Sequence, residues 1–116
     1  MPMIACEVVV PTVSGKTRLP WTPNKVPDWE AAAAYLFGGI SPLAVGVVGH
    51  WRNPKAPAGQ GLIPDPQNRY EIAVDSARVA ELREFVRFSC AAFEQECMYF
   101  KVGNTVEFLD NPLGWP

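Results

Sequence analysis

Residues 69–109 alternate in a way that leaves few folds open. Arg69-Tyr70-Glu71-Ile72-Ala73-Val74 alternates apolar and polar residues, as a half-buried strand does. From Asp75 to Glu94 the period changes. Val79, Leu82, Val86, Ser89 or Cys90, and Phe93 recur at helical spacing, with Arg78, Glu81, Glu84 and Arg87 between them. Two more alternating runs follow, at 97–102 and 105–109, and Gly103-Asn104 between them predicts a tight hairpin. A strand, a long helix and a strand pair make the second half of a small α+β sandwich.

The first half has the same grammar. Ile4 to Val10 is β-branched and apolar, and Pro11 ends it. Asp28 is a plausible N-cap for a helix whose inner face carries Trp29, Ala32, Ala33, Leu36 and Phe37, with Gly38-Gly39 as its stop. Ala44 to Trp51 reads as a second strand. The expected order is β-α-β-β-α-β with one added C-terminal hairpin strand, a ferredoxin-like sandwich with two helices on one face of an antiparallel sheet. The other face must be solvated or covered. Tyr70, Met98, Phe100 and Trp51 are more large apolar groups than a solvated face needs, and Phe85 and Phe88 widen the apolar side of the long helix. The expectation is a homo-oligomer, dimer or trimer.

A chain of 116 residues is one domain by size, spanning 1–116 with an ordered core of about residues 4–110. Ten of the twelve prolines cluster in the expected loops at 11–27 and 53–67 and in a tail at 111–116, with Pro2 and Pro42 outside. The net charge of −2 and a pI near 5.3 argue against a general nucleic-acid binder, while Lys16, Arg18 and Lys25, within ten residues, leave room for a local basic patch. No apolar run is long enough to span a bilayer, and the N-terminal residues do not read as a signal peptide. The expectation is a cytoplasmic protein without a membrane partner. Three scattered cysteines, Cys6, Cys90 and Cys97, fit reduced thiols, and with a single histidine they give no metal-ligand cluster.

Several short constellations carry chemistry. Ser14-Gly15-Lys16-Thr17 resembles the end of a phosphate loop, but Val10 stands where its first glycine belongs and prolines follow instead of a helix. A solvated loop is the simpler reading. His50-Trp51-Arg52 closes the second strand. Histidine is an acid or base near neutral pH, arginine binds anions, and tryptophan stacks on rings and cations; the plain alternative is a strand end. Glu94 and Glu96 flank Gln95 at the end of the long helix. Paired carboxylates can move protons, but a solvated helix end is the plainer reading. Gln95, just before a strand, is placed to turn inward toward a neighbouring loop. Tyr70 and Glu71 lie on opposite strand faces, and either could reach an interface pocket.

The run Phe93-Glu94-Gln95-Glu96-Cys97-Met98-Tyr99 resembles small ferredoxin-like proteins of phages and mobile elements. It is similar to the phage S-adenosylmethionine lyases, which in turn resemble the trimeric PII proteins. Val45-Gly46-Val47-Val48-Gly49-His50-Trp51 is a loose form of a Gly-x-Gly-x-Trp strand in short bacterial proteins of that kind. The resemblance spans roughly residues 36–109. It implies a ligand between subunits and an acidic residue near the start of the third strand, a place that falls at or near Arg69, with Glu71 two residues on. The first expectation is therefore an oligomeric binding protein that uses no cofactor. It would hold a small polar or anionic ligand at subunit interfaces through His50, Trp51, Arg52, Arg69, Tyr70 and Gln95. The second is an S-adenosylmethionine lyase-like enzyme with Glu71 catalytic, for which S-adenosylmethionine or a nucleotide would be bound. The third is a protein-binding accessory factor of a phage or mobile element.

Overall fold

The computed structural model describes residues 2–52 and 62–114. The chain folds as β1 (Met3–Pro11), α1 (Lys25–Phe37), β2 (Ser41–Arg52), β3 (Leu62–Asp75), a 3-10 turn (Ser76–Arg78), α2 (Val79–Ala92), β4 (Cys97–Val102) and β5 (Thr105–Asp110). The strands form one sheet in the order β2-β3-β1-β4-β5, and every neighbouring pair is antiparallel. Each helix crosses from one strand to another two places away, which is the split β-α-β arrangement, with β5 added by the hairpin. The ferredoxin-like α+β fold expected from the sequence is the fold observed.

The period-two alternation of β1 decides what packs where. Cys6, Val8 and Val10 are buried, so even positions of β1 face the helices. From β3, Tyr70, Ile72 and Val74 join them; from β4, Met98 and Phe100; from β5, Leu109. Trp29, Ala33 and Phe37 of α1 and Leu82, Val86 and Cys90 of α2 close the core from above. Trp29 stands at the centre. Its ring packs on Tyr70, Phe85 and Phe93 with centroids 5.4 Å, 5.8 Å and 6.2 Å away, and its Nε1 donates to Ser89 Oγ at 2.9 Å. Tyr70, Met98 and Phe100 thus lie on the covered side. The exposed large apolar groups on the open face are Met3, Val106 and Phe108 instead, beside the less exposed Val9 and Tyr99.

Element boundaries differ from the expected ones for identifiable reasons. α1 starts at Lys25, before Pro27, because the missing amide of a proline in the first turn has no helical partner to lose. Asp28 is therefore not the cap but a first-turn acid, favourable at the positive end of the helix dipole, and its N–H donates to Asn24 O at 2.9 Å. Ala32 and Leu36 turn outward. At the other end Gly38 takes φ 87° and donates to Ala34 O, as expected of a helix-stopping glycine. Before α2, Asp75 caps a 3-10 turn through Ala77 N at 2.8 Å. Glu94 lies beyond the helix with φ 51°.

The largest difference concerns residues 62–67, expected to be loop. They belong to β3 and pair with β2 although they include Pro64 and Pro66. A strand residue directs its N–H and C=O to the same neighbour in an antiparallel ladder. Pro66 O accepts Thr12 N at 2.9 Å, and Pro64 O accepts from Arg18, so both prolines lose donors on the side away from β2. Residues 53–61 of the expected loop lie outside the described residues. β2 bends where its register shifts between Pro42 and Val47, and Gly46 supplies φ 67° there.

Two outcomes follow. Phe100→Ala should cost about 3–5 kcal/mol in denaturant unfolding as a core truncation, while Tyr35→Ala, 89% exposed on α1, should stay within about 0.5 kcal/mol. The second concerns Arg83, whose Nε and Nη2 each donate to Glu107 at 2.9 Å. That hydrogen bonding lowers the Glu107 pKa below the usual carboxylate value. Its contribution is present above the unfolded-state pKa and is lost as pH falls through the folded one. Glu107→Gln should therefore destabilise near neutral pH, and its unfolding midpoint should converge on that of the parent below about pH 4.

Candidate functional site

The strand register separates the residues that the sequence grouped. His50 pairs with Pro64 and is exposed on the β2–β3 ribbon that runs past β1. Glu71 pairs with Ser41, seven β3 residues further on, or about 23 Å at a strand rise of about 3.3 Å. One subunit does not bring His50 and Glu71 together. For Trp51 and Arg52 only the backbone is described, opposite Ile63 and Leu62. Tyr70 is 1% exposed and faces the helices, away from both Arg69 and Glu71. Its hydroxyl accepts from Asn68 Nδ2 at 3.2 Å, and Asn68 Oδ1 accepts Gly46 N at 2.9 Å, which pins the bend in β2. Burial pushes the Tyr70 phenol pKa up; the Asn68 bond opposes this and nearby Glu30 adds to it.

Gln95 turns inward, as expected, and meets the 12–20 loop. A Cβ at Gly15 would lie 2.8 Å from its Nε2 and 2.1 Å from Glu94 O. Its side-chain bond, however, goes to Phe93 O at 2.9 Å, not to the loop. Ser14 Oγ donates to Glu94 Oε2 at 2.7 Å and accepts Lys16 N and Thr17 N, both at 3.1 Å. The amides that a phosphate loop would offer are therefore taken by a hydroxyl, and a carboxylate stands behind it. This cluster fastens the loop to the end of α2.

The open face of the sheet carries the remaining charges. Glu7 stands between Glu71 on β3 and Lys101 on β4 in one register row. Arg69 Nε lies 3.0 Å from Glu7 Oε1, an ion pair by distance in which Nε makes no hydrogen bond. The Arg69 guanidinium also lies 5.5 Å from the Tyr99 ring. Arg69 thus pairs with Glu7, and Lys101 is its neighbour across the ladder. Glu71 is exposed, faces a like charge across the ladder, and has no ion pair among the described residues. Like charges directly opposite on a sheet are unfavourable.

Glu71 stands at the edge of an open hollow of about 500 Å³ lined by Met3, Phe37, Gly38, Gly39, Ile40, Ser41, Glu71 and Ala73. The volume is that of a small-molecule site. Its lining combines the apolar Met3, Phe37, Ile40 and Ala73 with the polar Ser41 and Glu71. It lies at the negative end of the α1 dipole, where Arg78 Nη2 caps Leu36 O at 2.7 Å while its Nε donates to Glu81 at 2.9 Å. Sequence reasoning singled out Glu71 but not this surround. Gly38-Gly39 is read locally as a helix stop, and nothing local says that the turn ends against β3.

Other chemistry finds no support. Burial raises the pKa of all three thiols, that of Cys90 to about 12, so none is a ready nucleophile near neutral pH. Among the described residues no group of three or more His, Cys, Asp or Glu gathers to hold a metal ion, and no helix is long and apolar enough to cross a membrane.

No family model and no curated protein matches the sequence. Two solved structures match the fold. A phage SAM lyase in complex with S-methyl-5′-thioadenosine superposes with a TM-score of 0.70 at 15% identity, covering 93% of this chain and 89% of that one. A phage SAM lyase in the apo state gives a TM-score of 0.55 at 16% identity, covering 92% and 88%. The likeness extends over nearly the whole of both chains and establishes the shared fold, as the resemblance at residues 93–99 implied.

The tight approach at Gly15 gives a direct check. Gly15→Ala should destabilise by roughly 1–3 kcal/mol in denaturant unfolding, since backbone must move to admit the Cβ. Gly39→Ala has nothing within 4 Å of the new atom and should stay within about 0.5 kcal/mol.

Proposed function

We propose that this chain binds an adenosyl sulfonium or thioether in the hollow beside Glu71, and that it acts as an S-adenosylmethionine lyase-like enzyme. The observation that carries the reading is the Glu71 carboxylate, which has no ion pair among the described residues, at a small-molecule-sized hollow. It lies in a chain whose fold matches phage SAM lyases across nearly its full length. A sulfonium is an organic cation with an apolar body. Met3, Phe37 and Ile40 suit the body, and Glu71 suits the charge. The Glu71 carboxylate in the lining favours a cation over the small polar or anionic ligand that the sequence alone suggested.

The chemistry is consistent with one carboxylate. Cleaving the carbon–sulfur bond returns its electron pair to sulfur, so the cation becomes a neutral thioether. Where the departing fragment loses a proton, Glu71 is the base placed to take it. Loss of the positive charge also removes the attraction to Glu71 and eases product release. In the same reading the protein is a homo-oligomer whose hollow is completed at a subunit interface, where Arg69 or the His50-Trp51-Arg52 ribbon of a neighbour can add walls. Three free cysteines suit a reducing, cytoplasmic setting.

The test is incubation with S-adenosylmethionine, with S-methyl-5′-thioadenosine followed by chromatography and binding by calorimetry. The parent protein should release the thioether. Glu71→Gln should abolish turnover while affinity falls less than tenfold, because an exposed charge pair is worth about 1 kcal/mol or less. Release at the parental rate by Glu71→Gln would remove Glu71 from the chemistry. Neither binding nor thioether release by the parent would overturn the reading and turn attention to a protein partner.

A further inference from the structure

Taking the hollow as the ligand site, as proposed above, we infer that Gly39 is its specificity-determining residue. The side chain that Gly39 lacks leaves a seat for the flat base of an adenosine-type ligand, against the backbone of residues 39–40. Two glycines follow α1, and the fold needs only one of them. Gly38 takes φ 87° and stops the helix by donating to Ala34 O at 2.9 Å. Gly39 has no such duty. Its φ lies outside the left-handed region, and a Cβ built on it would meet no atom within 4 Å. Gly15 and Gly49 differ, because protein atoms stand 2.1 Å and 2.3 Å from where a Cβ would be. Gly39 lines the hollow instead, so the space beside it is the ligand's.

The surround suits a base. The N–H groups of Gly39 and Ile40 donate to no group among the described residues, whereas the Ala34 and Leu36 carbonyls of the same helix end are taken by Gly38 and Arg78. Backbone N–H groups are strong donors, and the ring nitrogens of adenine accept hydrogen bonds. Phe37 and Ile40 offer apolar surface to the faces of the ring. Phe37 is 6% exposed, and its ring is held by Phe85 at 5.6 Å and by the Arg78 guanidinium at 5.1 Å, so this wall has little room to retreat from a side chain at position 39. Ser41, the register partner of Glu71, is two residues from Gly39, no more than about 7 Å of extended chain. In an adenosyl sulfonium the ribose separates the base from the sulfur, and a hollow of about 500 Å³ has place for both ends. Shape and backbone hydrogen bonds then select the base, and Glu71 selects the charge. A small sulfonium without a base would gain only the second.

The experiment is calorimetric titration of the purified chain with adenosine and with S-methyl-5′-thioadenosine, beside Gly39→Ala, Gly39→Val and Ala31→Val, the last a control that adds bulk on the exposed side of α1. Denaturant unfolding accompanies each variant. Gly39→Ala should keep the parental unfolding midpoint and weaken both probes roughly tenfold, and Gly39→Val should weaken them further, since one methyl group in the ligand's place is worth about a factor of ten or more. Ala31→Val should bind as the parent does. Parental affinity in Gly39→Val would overturn the inference, and so would an equal loss in Ala31→Val. A lowered midpoint in Gly39→Ala would also overturn it, by making the glycine a need of the fold. Binding of S-methyl-5′-thioadenosine that ignores both Gly39 substitutions would overturn this inference and leave the proposed function. Gly39-sensitive binding of adenosine by a protein that releases no thioether from S-adenosylmethionine would do the reverse. A parent that binds neither probe would overturn both.

Discussion

The nine register pairs between β1 and β3, from Met3 opposite Asp75 to Pro11 opposite Gln67, determine the side on which every other group must work. A slip of one residue in β1 would turn Val8 and Val10 to the open face and bring Glu7 under the helices, and the same slip in β3 would expose Tyr70 and Ile72 and bury Arg69 and Glu71. Burying the apolar set and leaving the charged one in water makes either slip costly. Trp29 guards the same register from above, since its ring stacks on Tyr70 and its indole N–H is satisfied by Ser89 on the opposite helix. A buried tryptophan with its donor paired adds stability and fixes the depth of α1 over the sheet.

The register also makes the electrostatics. It places Glu71 opposite Glu7 and Lys101 beside Glu7, and it lets Arg69 reach Glu7 by a diagonal. Glu7 has an ion pair, and Glu71 has none among the described residues. Because Glu71 is exposed, solvation keeps that arrangement tolerable, and a cation arriving from outside finds a carboxylate without an internal competitor. The apolar floor beside it comes from the α1–β2 turn, which the left-handed Gly38 aims across the end of β3. The hollow is thus a product of one turn and one register, and needs no rearrangement of the core.

Periodicity made the fold legible. The change from period two to helical spacing at Asp75, the alternation after Cys97 and the Gly103-Asn104 hairpin are local signals, and each matches an observed element. Proline content misled at 62–67, because composition does not say toward which neighbour a missing amide points. The site was less legible. Tyr70 and Glu71 were rightly placed on opposite faces, but the sequence does not say which face the helices cover, and Tyr70 took the buried one. His50 and Glu71 seemed parts of one site because the strands that carry them follow one another in sequence; only the register shows the length of chain between them. The Gly38-Gly39 turn entered as a helix stop, since its approach to Glu71 is a long-range fact.

The account turns on a ligand meeting the Glu71 end of the sheet rather than the His50 ribbon or the 12–20 loop. The most direct measurement is the change in backbone amide resonances as S-methyl-5′-thioadenosine is added to the isotope-labelled protein. The account predicts the largest shifts at Gly38, Gly39, Ser41 and Glu71. Shifts confined to His50 and its strand neighbours, or to Gly15, Lys16 and Gln95, would contradict it.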